Sequence, residues 1–137
     1  MYNTKLKNDR YMIDCVAVYS MPQIVTFVLD TGAKYTCCRY EEIDDTLREE
    51  DFHTAETKLI GGIVNGPAVR LYACNLHQFS VGNIDLGARK IWISFDERLS
   101  DSVLGLDILK HALFLHDPAE KVLSVFESTE ELKDSLS

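Results

Sequence analysis

The sequence predicts an all-β domain with one or two short helices. Three observations carry that prediction. Apolar, β-branched runs of four to eight residues recur along the chain. Gly, Asn and Pro turn signals separate them at short intervals. Helical spacing of apolar residues is confined to 41–51 and 106–112. At 137 residues the chain suits a single domain with a sizeable core of its own, expected over 1–126 with a polar tail at 127–137.

The elements follow in order. "MIDCVAVY" (12–19) and "QIVTFVL" (23–29) flank Ser20-Met21-Pro22, which is short enough for a hairpin loop. Residues 36–39 read as a short strand. The acidic "EEIDDTLREED" (41–51), with Ile43 and Leu47 four apart, reads as one surface helix with a narrow apolar stripe. Residues 58–63 and 68–74 form a hairpin around "GGIVNGP". A further hairpin turns at Gly82-Asn83 between 76–81 and 84–86. "IWISF" (91–95) is a strand. Val103-Leu104 precedes Gly105, and "LDILKHA" then has the spacing of a short helix. A last hairpin joins 113–115 to 122–126 through "HDPAEK". Many short strands at this spacing suggest a compact barrel or sandwich.

Charge and composition exclude several function classes. A net charge of -8 disfavours nucleic acid and anionic membrane as partners, since both want a basic face. No apolar run has the length to span a bilayer. The first twenty residues lack an apolar signal-peptide core, so cytoplasmic location is the expectation. Cys15, Cys37, Cys38 and Cys74 do not have the spacing of a disulfide framework.

The chemistry centres on "VTFVLDTGA" (25–33), an apolar strand delivering a carboxylate into a tight turn. Asp-Thr-Gly alone is a common turn composition. Two more segments follow it: the glycine-rich hairpin "KLIGGIVNG" (58–66) and "SVLGLDILKHA" (102–112), in which an apolar pair and Gly105 lead into a helix. These three motifs, in this order over about residues 12–126, resemble the retropepsins, the retroviral-type aspartic peptidases, in their cellular and bacterial branch.

The resemblance implies a single-lobe closed β-barrel and an aspartic endopeptidase. Two carboxylates a few ångströms apart cannot both ionise, so such a pair shares one proton and activates water between general base and general acid. The chain has one Asp-Thr-Gly, so the resemblance implies a homodimer with Asp30 from each protomer. Asp30, Thr31 and Gly32 would form the catalytic turn. Ala33, Lys34, Ile60, Gly61, Gly62 and Ile63 would contact an extended peptide or protein substrate, the last four from the flap. Gly105 would pack against the turn, where a side chain would clash. No metal or organic cofactor is implied.

Two positions depart from the retroviral pattern. Lys34 stands where an Asp is usual, and Leu106 where many members have a partner Arg. Such departures keep open a second reading, a catalytically silent module for dimerisation or peptide binding. A metal- or redox-responsive protein is a third, on weaker grounds. Cys37 and Cys38 point to opposite faces of a strand, and Cys74 and His77 do the same. The default for these thiols is a small buried hydrophobe. His111 and His116 read as surface or packing residues, Trp92 as core or dimer contact, and Asp107 as the cap of the short helix.

Overall fold

A computed structural model of the protein describes residues 2–7, 10–61 and 67–126, together with 130, 133 and 134. Within residues 2–126 the described residues form twelve strands and two short α-helices. In chain order they are β1 (Tyr2–Lys7), β2 (Arg10–Val18), β3 (Pro22–Leu29), β4 (Cys37–Arg39), α1 (Tyr40–Ile43), β5 (Thr57–Ile60), β6 (Val69–Leu76), β7 (Gln78–Val81), β8 (Ile84–Asp85), β9 (Arg89–Ser94), β10 (Val103–Leu104), α2 (Leu106–Leu109), β11 (Leu113–Asp117) and β12 (Val122–Phe126). The mostly-β expectation with short helices therefore holds, and each of the four sequence-predicted hairpins pairs antiparallel.

The strand order is β11-β12-β1-β2-β3-β10-β4-β9-β6-β5, with β7 paired to β2 and β8. Most neighbours are antiparallel. The exceptions place the site. β10 runs parallel to β3, with Leu104 opposite Leu29, and β4 runs parallel to β9. β10 thereby inserts between β3 and β4, although more than sixty residues separate it from either. This register carries the residues just after β10 to the residues just after β3, which are Gly105 and Asp30.

Alternation along the strands builds two apolar layers. Ile13, Cys15 and Ala17 on β2 meet Val25 and Phe27 on β3 in the main core, all at most 1% exposed. Strands β4, β6 and β9 have apolar side chains on both faces. Cys38, Tyr72, Cys74, Ile91 and Ile93 face the main core. Cys37, Leu71, Ala73 and Trp92 face a smaller cluster with Val69 and Leu99. A strand covered on both sides reads as a continuous apolar run rather than an alternating one, as "VRLYACNL" does. Trp92 is 2% exposed, which makes it a core residue.

Three elements differ from expectation. The single helix over 41–51 is broken: α1 stops at Ile43 and a separate 3-10 turn spans Glu49–Phe52. Asp44 causes the break. Its carboxylate accepts bonds from the Thr46 amide (2.9 Å) and hydroxyl (2.6 Å), closing a local turn that competes with helix continuation. β1 was not foreseen; it pairs antiparallel with β12 and, near its end, with β2. Asp107 does not cap α2. Gly105 occupies that position, and the Asp107 carboxylate instead reaches Thr36. The expected tail at 127–137 lies almost entirely outside the described residues.

Candidate active site

Asp30 stands at the end of β3, where apolar burial gives out. Its amide donates to the Leu104 carbonyl at 3.1 Å, the last rung between β3 and β10. The chain then turns at once. The Ala33 amide returns to the Asp30 carbonyl (3.1 Å), and the Gly32 amide donates to Asp30 Oδ1 (2.9 Å). The carboxylate is therefore oriented by its own turn, and Asp30 is exposed in the single chain.

A second set of bonds holds this turn from behind. Leu106 N–H donates to the Ala33 carbonyl (2.9 Å) and Asp107 N–H to the Lys34 carbonyl (3.3 Å). Thr36, fully buried, links the two segments. Its hydroxyl donates to Asp107 Oδ1 at 2.6 Å and accepts from the Gly105 amide at 2.9 Å, and its own amide donates to the same Asp107 oxygen at 2.9 Å. A hydrogen-bond network centred on a buried hydroxyl rigidifies what it connects. Gly105 is required by contact. A Cβ there would lie 2.6 Å from the Tyr35 carbonyl carbon and 2.9 Å from the Ala33 oxygen, both backbone atoms.

In front of the turn lies a cleft of about 520 Å³. Of the sequence-predicted residues, Asp30, Gly32, Ala33, Lys34, Ile60 and Gly61 line it together. The 57–60 strand and the 30–35 turn, separate in sequence, thus form its two walls. Gly62 and Ile63 fall outside the described residues. Gly105 is buried behind the turn. Thr31 faces away from the cleft, into an apolar groove of about 590 Å³ with Leu29, Leu106, Leu109, Phe114 and Leu123.

Sequence reasoning missed Tyr35, Cys37, Leu59 and Val103 in the cleft wall and the Thr36–Asp107 pair behind it. Tyr35 lies edge-on to Trp92, with ring centroids 5.9 Å apart. Lys58 Nζ lies 4.5 Å and Lys34 Nζ 5.4 Å from the Tyr35 ring centre. The Tyr35 phenol is held below its ordinary pKa, chiefly by Lys58 beside its hydroxyl and then by Lys34. The thiols behave oppositely. Burial raises Cys37 to about 11 and Cys74 to about 12, and it pushes Cys15 and Cys38 further up. All four are free and buried, as a small hydrophobe would be. Cys74 is buried while His77 is exposed, so the two do not converge.

No family model matches the chain, and a search among curated proteins returns no match. Among solved structures it is similar to a retropepsin-like aspartic protease from Rickettsia conorii, with a TM-score of 0.66 and 16% identity, over 91% of this chain and 89% of that one. At 16% identity the likeness is one of fold. The chain has the retropepsin-like fold.

Proposed function

We propose that the protein is a homodimeric aspartic endopeptidase of the single-lobe, closed-barrel type. One observation carries this reading: a carboxylate oriented by the Gly32 amide at the mouth of a cleft whose opposite wall is a glycine-bearing hairpin strand. An open carboxylate on a rigid turn becomes a catalyst when a second carboxylate shares its proton. The chain offers one such turn, and a second copy supplies the other by two-fold symmetry. The apolar groove containing Thr31 supports this arrangement, because it adjoins Asp30 on the side away from the cleft.

In this mechanism the ionised member of the Asp30 pair draws a proton from water, and the protonated member donates to the scissile carbonyl. Ala33 and Lys34 on one wall and Ile60 and Gly61 on the other hold an extended peptide by main-chain bonds, a role that the sequence resemblance extends to Gly62 and Ile63. Closure of the hairpin over it excludes bulk water.

The test is digestion of a denatured protein mixture by wild type and by Asp30→Asn, side by side from mildly acidic to neutral pH, read by mass spectrometry. Fragments made by wild type and absent with Asp30→Asn are expected. Folded, dimeric wild type that yields no fragments at any pH would move the assignment to a silent dimerisation or peptide-binding module.

A further inference from the structure

The cleft wall beside Asp30 carries a local charge opposite to that of the molecule. The chain is net -8, yet Lys34 lines the cleft and Lys58 leans over the Tyr35 ring that forms its wall. Among the described residues neither ammonium has a carboxylate within ion-pair distance. The ion pairs there involve Arg10, Arg39, Lys90 and Arg98 instead. Lys90, which also approaches Trp92, is neutralised by Glu56 at 2.9 Å. Two cations thus remain without a carboxylate at this wall.

The position of Lys58 is set by packing, while Lys34 is exposed and lies 5.4 Å from the Tyr35 ring centre. Lys58 lies between two aromatic rings, 4.5 Å from the centre of Tyr35 and 5.3 Å from that of Trp92. Trp92 is itself fixed in the second core cluster. A cation held over aromatic faces loses less freedom on meeting an anion than one on a free stem does. The side chain is half-buried, so its charge is less screened than a surface lysine's. The phenol of Tyr35 adds a hydrogen-bond donor between the two ammoniums.

We propose that Lys34, Tyr35 and Lys58 form a subsite for an acidic side chain of the substrate, an Asp or Glu that flanks the scissile bond. This rests on the peptidase reading of the cleft. The carboxylate accepts from the two ammoniums and the phenol. The net negative charge elsewhere repels acidic peptides in general, so recognition is confined to a carboxylate placed at this wall. The pair of lysines then sets which bond is cut rather than how fast any bond is cut.

The experiment uses octapeptides built on alanine with a central Phe-Phe, in which Glu, or Gln as its neutral match, is scanned through each position. Cleavage by wild type should favour Glu over Gln at one position by about tenfold in kcat/KM. Lys34→Met with Lys58→Met should bring that ratio to about one. Charge reversal at both sites, Lys34→Glu with Lys58→Glu, should transfer the preference to a Lys peptide, a gain that misfolding cannot produce. Equal cleavage of Glu and Gln peptides at every position, or a Glu preference that survives the double Met change, overturns the subsite. Preference for phosphoserine over Glu at that position overturns the carboxylate assignment. The same Glu/Gln pairs are titrated by fluorescence against Asp30→Asn protein. Tighter Glu binding there upholds the subsite even if no peptide is cut, whereas equal binding refutes it, so the subsite and the peptidase reading fail separately.

Discussion

A methyl group at position 105 has nowhere to go. The atoms it would strike belong to the Tyr35 and Ala33 backbone, the nearest at 2.6 Å, and backbone cannot rotate aside as a side chain does. Gly105→Ala must therefore part the 33–35 loop from the start of α2, at a cost on the order of 1–3 kcal/mol or more. Urea denaturation should show the midpoint falling with the slope unchanged; an unmoved midpoint would contradict the packing. Gly32 is a different case. The nearest atom to a Cβ there is Asp30 Oδ1 at 3.2 Å, the tip of a rotatable side chain. Gly32→Ala should leave stability within about 1 kcal/mol of wild type while turning the Asp30 carboxylate. On the peptidase reading its cleavage rate falls on the order of tenfold or more, since small misplacements at a reacting group are costly. The two glycines look alike in sequence and separate cleanly by stability against activity.

At the scale of elements, what the sequence reveals depends on how local the cause is. The hairpins are legible because their turns and their alternation lie within a few residues, as at Gly82, whose φ of 59° suits glycine. The break of the 41–51 helix is local too, but it depends on one Asp44 side chain choosing Thr46 over solvent, a choice that composition does not settle. The Thr36–Asp107 bond spans 71 residues; Asp107 reads as a helix cap until β10 is known to insert beside β4. β1 is polar, "YNTKLK", and gains its place from the open edges of β12 and β2. The cysteines show the reverse. Their strand spacing alone indicates opposite faces, and Cys38 and Cys37 indeed enter different clusters. That burial has a measurable consequence. An unfolded thiol ionises near pH 9, while folded Cys37 holds its proton to about 11 and Cys74 to about 12. The unfolded chain therefore binds fewer protons above pH 9, and stability must fall as pH rises from 9 through 11 to 12. Cys74→Ala should flatten this alkaline slope. At pH 8 none of the four thiols should react with iodoacetamide on the time scale that labels all four in denaturant. Rapid labelling of the folded protein, or a flat stability profile above pH 9, would show the thiols to be accessible.

For the whole molecule, the question is whether one chain suffices. Asp30 lies exposed with the Gly32 amide on one oxygen, and no second Asp-Thr-Gly exists in the chain to share its proton. Next to it, Leu106 is 46% exposed on the groove that also holds Thr31 and Leu29. On the homodimeric peptidase reading, an apolar side chain left open beside Asp30 is accounted for by a second copy seated there. Many retroviral members have an Arg at this position, and Leu suits a dry contact in its place. Wild type should therefore sediment at twice the chain mass, and specific activity should rise with protein concentration below the dissociation constant, because on that reading the monomer carries half a dyad. Leu106→Glu puts a charge into that contact and should weaken dimerisation by about thirtyfold or more. Leu106→Glu should keep the wild-type circular dichroism spectrum, since position 106 is not part of either core cluster. Its activity should return as concentration is raised, which distinguishes lost assembly from a damaged turn. Specific activity independent of concentration down to where wild type is monomeric, or a Leu106→Glu protein as dimeric as wild type, would overturn a dimer contact across this groove.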